Sequence, residues 1–146
     1  MRNIKFVLIA IFCAIMGFFA CYLLIYIPHL ENAQKATSIY AADEIAEEEK
    51  TAIEAFTKFP PTISLYAQQR LIANAARQNK VGLLNDKNYS RLIGLAQGRM
   101  ALSYHALSRE SEAKQSMDSA IHYLDKAQMH MTPEKLVELL KRPIPN

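Results

Sequence analysis

The feature that most constrains this chain is a run of 22 uncharged residues from Phe6 to Ile27. A helix of that length rises roughly 33 Å at about 1.5 Å per residue, and a bilayer's hydrocarbon core is about 30 Å thick. Tyr22 and Tyr26 stand near the end of the run, where aromatic side chains favour the membrane interface. Pro28 follows and is expected to end or kink the helix. We therefore predict a transmembrane anchor over residues 6–28.

Two cleaved forms of this segment compete with an uncleaved anchor. A signal peptide would use Arg2 and Lys5 as its basic start, but the apolar core is longer than the usual stretch of about 7–15 residues. No small-x-small cleavage site follows it. A lipoprotein signal would end at Cys21, but an aliphatic residue is missing three positions before it and apolar residues continue beyond it. The length and flanks of the segment fit an uncleaved anchor better.

The flanking charges predict the orientation. Arg2 and Lys5 precede the span, whereas only His29 and Glu31 follow it closely. The positive-inside rule then places residues 1–5 in the cytoplasm and the C-terminal domain outside. In a bacterium this is a single-pass protein of the inner (cytoplasmic) membrane with its domain in the periplasm, and the lipid bilayer is one of its partners.

The two cysteines, Cys13 and Cys21, both lie inside the predicted span. They are eight residues apart on one helix, too far to bridge each other, so the exported domain has no disulfide. Cys13, Gly17 and Cys21 follow one another at four-residue steps. Such a small-residue stripe predicts close packing with another transmembrane helix, although small residues are also common in any membrane helix.

The remainder of the chain is predicted to be all-α. We expect an ordered domain, because 51% of residues are hydrophobic and only 21% are charged. After Pro28, apolar residues recur at three- and four-residue steps without sustained alternation, which favours helices over strands. We predict helices near residues 30–59, 62–78, 87–107, 110–127 and 134–141. The region 29–61 is thus a long acidic juxtamembrane helix, and 62–146 is an antiparallel helical array. The predicted core stripe of the long helix is Ile39, Ala42, Ala46, Ala52 or Ile53, and Phe56.

One predicted helix pair, residues 94–127, has an unusual spacing of small and large residues. Ala101, Tyr104, Ala113 and Ala120 stand at intervals of 3, 9 and 7. This spacing resembles the small, tyrosine and alanine positions of the tetratricopeptide repeat. Met100 and Met117 occupy that pattern's leucine and aromatic positions, whereas Gln97, Ser108 and Asp125 replace its tryptophan, glycine and proline. One repeat is covered, and the alternative is a generic helical hairpin.

The resemblance implies a binding module without catalytic activity. Tetratricopeptide proteins generally present a groove to a peptide or helix, and the groove draws on side chains of the first helix of each pair. In this chain the resemblance assigns that role to Gln97, Arg99, Ser103 and His105.

Charge is unevenly distributed along the domain. Residues 30–56 carry seven acids and two bases, whereas residues 57–146 carry seven acids and thirteen bases. The two regions either attract each other, which would fold the long helix onto the domain, or form two solvated faces, which the weakness of exposed ion pairs favours. Nucleic acid is not an expected partner, because the basic residues are dispersed and no binding motif is present.

The sequence carries no recognisable catalytic or metal-binding motif, so we predict no enzyme and no cofactor. The chain has no HExxH sequence, no phosphate-binding glycine loop and no GxSxG sequence. His122 has Asp118 and Asp125 within one turn and His130 has Glu134, but such neighbours are more often structural than metal ligands. The sequence therefore predicts a membrane-anchored, exported interaction module of an envelope complex for secretion, pilus assembly or translocation. The alternative is a small phage- or plasmid-type exclusion or immunity factor that occludes an inner-membrane target.

Overall fold

A computed structural model of the chain describes residues 15–141, apart from the side chains at positions 31 and 34. The regular structure in this part is entirely helical, which confirms the predicted all-α class. The α-helices that follow a π-helical turn at Tyr22–Tyr26 are α1 (Ile27–Lys58), α2 (Pro61–Lys80), α3 (Asp86–Ala106), α4 (Glu110–Lys126) and α5 (Pro133–Lys141). The chain divides into two units, Met1–Ile39 and Tyr40–Asn146.

The helix continues through Pro28 and does not end there. Pro28 is the second residue of α1, and the π-helical turn stands immediately before it. In that turn the N–H of Ile27 donates to the carbonyl of Tyr22. Proline has no N–H to donate to the preceding turn, and single π-helical turns occur inside otherwise α-helical segments.

Within the described residues, one apolar helix near the N-terminus has the length and composition to cross a membrane. It is part of the helical stretch Ile15–Lys58, and none of its most apolar window is buried. The core helix of a soluble protein would be mostly buried, but a signal sequence shares this helix's length, composition and position. The helix is therefore compatible with the predicted anchor and is weak support for it when taken alone.

Two apolar clusters build the second unit, and α3 contributes to both. The first cluster joins α1, α2 and α3 through Ile45, Ala52, Leu71, Ala75, Leu92, Ile93 and Ala96. The second joins α3, α4 and α5 through Leu95, Ala120, Leu124 and Leu136. Because α3 supplies buried residues on two of its faces, it is the central helix of this unit.

The buried face of α1 differs from the predicted one. Ala41, Ile45, Ala52 and Ala55 are buried, whereas Ile39, Ala42 and Ala46 are exposed. The prediction was therefore wrong for these three exposed positions. Three glutamates on or beside this face pair with bases of α2 and α3: Glu44, Glu48 and Glu49. Compared with the predicted orientation, α1 is therefore rotated about its axis toward these bases.

The ends of α2, α3 and α4 share one geometry. Gly82, Ser108 and Gln128 follow these helices with positive φ values of 74°, 57° and 63°. After each of them, the next N–H closes the helix end by donating to a carbonyl five residues back: Leu83 to Gln78 (3.0 Å), Arg109 to Tyr104 (2.9 Å) and Met129 to Leu124 (2.8 Å). This is the Schellman motif, whose left-handed position favours glycine.

Replacing Ser108 by glycine is expected to raise the free energy of unfolding by about 0.4–1 kcal/mol, because glycine adopts positive φ without steric cost. The Ser108 side chain is exposed and makes no hydrogen bond with the described residues, so no contact is lost. Urea unfolding of the full chain in detergent micelles, followed by circular dichroism, measures the change. Gly82→Ala is the matched control and should lower stability, and an unchanged Ser108→Gly variant would contradict the strain at this position.

Candidate functional site

The acidic side of α1 is bound to bases of α2 and α3. Three ion pairs connect the helices: Arg70 Nη2 to Glu48 Oε1 (3.0 Å), Arg77 Nη2 to Glu44 Oε1 (3.6 Å) and Arg91 Nη2 to Glu49 Oε2 (3.8 Å). The acidic and basic regions thus attract each other, and the interpretation as two solvated faces does not hold for these carboxylates.

Uncharged side chains of α2 also donate hydrogen bonds to the glutamates of α1. The Asn74 amide donates to Glu44 Oε1 at 3.0 Å and to Glu48 Oε2 at 2.9 Å, and the Gln78 amide donates to Glu44 Oε2 at 3.2 Å. Asn74 and Gln78 are themselves buried. Hydrogen bonds to charged groups are stronger than hydrogen bonds between neutral groups. These ion pairs and hydrogen bonds therefore help to orient α1 against α2.

The turn between α1 and α2 brings large apolar side chains together. The N–H of Phe59 donates to the carbonyl of Ala55 at 3.2 Å, Pro60 is extended, and Pro61 opens α2 at its first position. Proline ends one helix because it supplies no N–H, and its fixed φ suits the first turn of the next. Phe59 at the end of α1 and Ile63 in the first turn of α2 therefore border the same space.

That space is an open groove of about 410 Å³ between α1 and α2. Its floor consists of small or buried side chains: Ala52, Ala55, Ala67 and Leu71. Three large side chains at its mouth remain open to solvent, with exposed fractions of 51% for Phe59, 47% for Ile63 and 66% for Tyr66. The Glu48–Arg70 ion pair forms part of its rim. We name these walls and floor the α1–α2 groove.

Neighbouring exposed apolar side chains of this size are a feature of interaction surfaces, whereas isolated ones are ordinary. The α1–α2 groove has the character of a surface that receives an amphipathic helix: an apolar floor, aromatic edges and a charged rim. The groove was not predicted, because the four-residue spacing of Ile63, Ala67, Leu71 and Ala75 predicts a core face of α2 that includes Ile63. The Phe-Pro-Pro sequence that places Phe59 beside Ile63 was the available signal.

The four partner-binding residues implied by the repeat resemblance do not share one surface. Arg99 and Ser103 are buried, Gln97 is half-buried and His105 is exposed. Ser103 donates from Oγ to Ser64 Oγ on α2 at 2.9 Å. Arg99 and Ser103 thus belong to the packing between α2 and α3, and only His105 is freely accessible to a partner.

Arg99 has an unusual environment for a guanidinium. Burial lowers the pKa of Arg99, and the charge of Glu49 acts in the opposite direction. The buried Nη1 atom of Arg99 and the buried Oε1 atom of Gln68 both lack a hydrogen-bond partner among the described residues. Gln68 also donates from Nε2 to the carbonyl of Ala52 at 2.7 Å, so polar groups connect three helices inside the core.

The predicted small-residue stripe lies in the first unit. Gly17 and Cys21 are exposed, and a Cβ atom built on Gly17 meets no atom within 4 Å. Cys13 lies outside the described residues. The described part of the stripe is therefore open to a neighbouring helix, and packing there stays a prediction.

Two of the four histidines, His105 and His130, contact carboxylates. His105 Nδ1 lies 2.9 Å from Glu110 Oε1, and His130 Nδ1 lies 3.1 Å from Asp125 Oδ1. His130 thus contacts Asp125, although Glu134 was its expected neighbour. Within residues 15–141, no group of three or more histidine, cysteine, aspartate or glutamate side chains is arranged to hold a metal ion.

Comparison with known proteins finds no relative. No protein-family model, no curated protein and no solved structure matches the chain. Its function is therefore inferred from the α1–α2 groove and from the apolar N-terminal helix.

Proposed function

We propose that the chain is a membrane-anchored, exported helical interaction module that serves as a component or assembly factor of an envelope complex. Secretion, pilus and translocon-associated machines are the candidate assemblies. The observation that carries this proposal is the α1–α2 groove, in which Phe59, Ile63 and Tyr66 expose apolar surface around a buried apolar floor.

The apolar N-terminal helix supports the anchored part of the proposal. Its side chains from Ile15 to Tyr26 are exposed. In water such a surface is unfavourable by about 25 cal/mol per Å² of apolar area, whereas lipid tails remove that cost. An anchor of this kind would hold the helical unit at the membrane surface, where envelope complexes assemble.

The packing of α3 and α4 supports the helical-repeat part of the proposal. Ala101, Ala113 and Ala120 are buried, as a tetratricopeptide-like hairpin would require. Small side chains at these positions let two helices approach closely. Such a hairpin would act as a rigid support on which the α1–α2 groove is presented.

The proposed binding mode is an amphipathic partner helix laid into the α1–α2 groove. Tyr66 is the best candidate anchor because it is large, amphipathic and two-thirds exposed before binding. Aromatic residues of this kind are over-represented among the few that dominate binding energy, each contributing about 2 kcal/mol or more.

Replacing Tyr66 by alanine is expected to weaken the partner complex at least tenfold while leaving the free energy of unfolding within about 0.5 kcal/mol of the original. The measurement is in-cell crosslinking of the full-length chain, followed by purification and quantification of the crosslinked partner. Tyr40→Ala is the matched control, because Tyr40 also lies on the exterior of the second unit, is 76% exposed and does not line the groove.

Recovery of one defined envelope complex that Tyr66→Ala depletes and Tyr40→Ala preserves would support the proposal. Equal recovery with both variants would remove the groove from the binding role. A version whose residues 1–28 are replaced by a cleavable signal separates the two parts of the molecule. Loss of the complex in this version would assign part of the binding to the membrane helix, and persistence would assign it to the helical unit.

A further inference from the structure

A second concavity, of about 370 Å³, lies between α3, α4 and α5. Its apolar lining comes from all three helices and includes Leu102, Met117 and Val137, each of which is half-buried. Its charged lining consists of His105, Glu110, Lys114 and Lys141. We name this site the α3–α5 pocket. Its volume can hold one large apolar side chain.

The charges of the α3–α5 pocket do not cancel. Among its described lining residues Glu110 supplies the only carboxylate, and that carboxylate contacts the His105 ring at 2.9 Å. Lys114 and Lys141 are exposed, and neither makes a hydrogen bond or ion pair with any residue of the described chain. Within residues 15–141, these two ammonium groups thus have no ion-pair partner beside the apolar side chains of the pocket.

We propose that the α3–α5 pocket binds a short acidic segment of a partner protein, with one large apolar side chain against Met117 and Val137 and its flanking carboxylates on Lys114 and Lys141. This inference rests on the proposed interaction function and adds a second contact with a stated chemistry. Charge complementarity selects the acidic flanks, because unpaired lysines attract carboxylates and repel basic segments.

A second copy of this chain is the competing occupant. Its α1 carries the exposed acids Asp43 and Glu47, and the exposed large side chains Ile39 and Tyr40 lie one turn before Asp43. Self-association is therefore a separate outcome of the test below.

The test uses the full-length chain in neutral detergent micelles and a fluorescently labelled nine-residue peptide with one phenylalanine between pairs of glutamates. A second peptide replaces the glutamates by glutamines, which preserves shape and removes charge. Fluorescence anisotropy is expected to show roughly fivefold tighter binding of the glutamate peptide, as two exposed ion pairs would give. The double variant Lys114→Gln and Lys141→Gln should reduce this ratio to about one.

The matched control is the double variant Lys80→Gln and Lys135→Gln. Lys80 and Lys135 are exposed and lie outside the pocket, so the control makes the same change in net charge. It should preserve the fivefold ratio. In addition, methyl NMR signals of Met117 and Val137 should shift when the glutamate peptide is added, whereas the signal of Ile45 in the other apolar cluster should not.

Several results would overturn the proposal. Equal affinities of the two peptides would show that the pocket has no preference for acidic flanks. If both double variants lose the same affinity for the glutamate peptide, the attraction comes from net charge alone. Loss of binding in Tyr66→Ala would assign the peptide to the α1–α2 groove. Self-association that the Lys114 and Lys141 changes abolish, without peptide binding, would make a second copy the occupant.

Failure of this inference and failure of the proposed function are distinguishable. If the crosslinked envelope complex is recovered but the glutamate and glutamine peptides bind equally well, only the acidic-segment proposal fails. If the peptides are discriminated but no envelope complex is recovered, the pocket stands and the envelope role fails.

Discussion

Replacing Leu124 by alanine is expected to lower the free energy of unfolding by about 2–5 kcal/mol, because the change leaves a cavity in the centre of the α3–α4–α5 cluster. Leu124 is fully buried and clusters with Leu95, Ala120 and Leu136. These neighbours come from three helices, so no single side chain can move to fill the space.

Urea unfolding of the full chain in detergent micelles measures this loss. Leu139→Ala is the matched control: it removes the same atoms from α5 at a position that is 37% exposed, and it should cost less than about 1 kcal/mol. If both variants lose the same stability, Leu124 is not the centre of a packed cluster.

Replacing Gly94 by valine is expected to cost about 3 kcal/mol, because α3 and α4 approach too closely there for a side chain. A Cβ atom at position 94 would lie 2.7 Å from Leu124 Cγ and 3.1 Å from the carbonyl oxygen of Ala120. The second contact is with backbone, so rotation of a side chain cannot relieve it. Gly94→Ala should also destabilise, although alanine regains about 1 kcal/mol of helix propensity.

Gly98→Ala is the matched control on the same helix. Its Cβ would meet Leu140 Cδ1 at 2.9 Å and Leu136 Cδ2 at 3.1 Å, which are ends of flexible side chains on the short terminal helix α5. The gain in propensity should offset most of that crowding, so this variant should be near neutral. A Gly94→Ala variant as stable as Gly98→Ala would contradict the close approach of α3 and α4.

The two predictions are coupled, which provides a sharper test. Leu124 supplies the side chain that a Cβ at position 94 would strike, so shortening Leu124 makes room for it. The double variant Gly94→Ala and Leu124→Ala should lose less stability than the sum of the single variants. Residues in contact commonly show such interaction energies of about 0.5–3 kcal/mol, whereas strict additivity would mean that the two positions do not touch.

The helices themselves could be predicted because their signals are local. Asn85 accepts a hydrogen bond from the N–H of Asn88 at 2.8 Å and caps α3, and Pro133 opens α5. Cap residues and prolines act within one helical turn, so the chain's own neighbourhood determines where a helix begins. The effect of Pro28 was harder to predict. A proline often ends a helix, but here the helix continues through it after a π-helical turn.

The candidate binding residues were less predictable because exposure depends on packing. The repeat resemblance pointed to Arg99 and Ser103, and both are buried in the structure. Conversely, Ile63 belongs to a helical stripe by its spacing, but it stands at the open mouth of the α1–α2 groove. Spacing along one helix shows which residues share a face and does not show whether another helix covers that face.

By itself, the sequence determined the apolar N-terminal run, the helical content and the main helix boundaries, since each depends on residues within a few positions of one another. Tertiary structure decided which face of α1 is buried. The chosen face packs Ile45 and Ala52 into the cluster with α2 and α3. It also brings Glu48 to Arg70, 22 residues away, and Glu44 to Gln78, 34 residues away. The tertiary structure also placed Phe59, Ile63 and Tyr66 around one groove. Contacts over such separations form only when whole helices pack, so their energies cannot be read from the periodicity of any one helix.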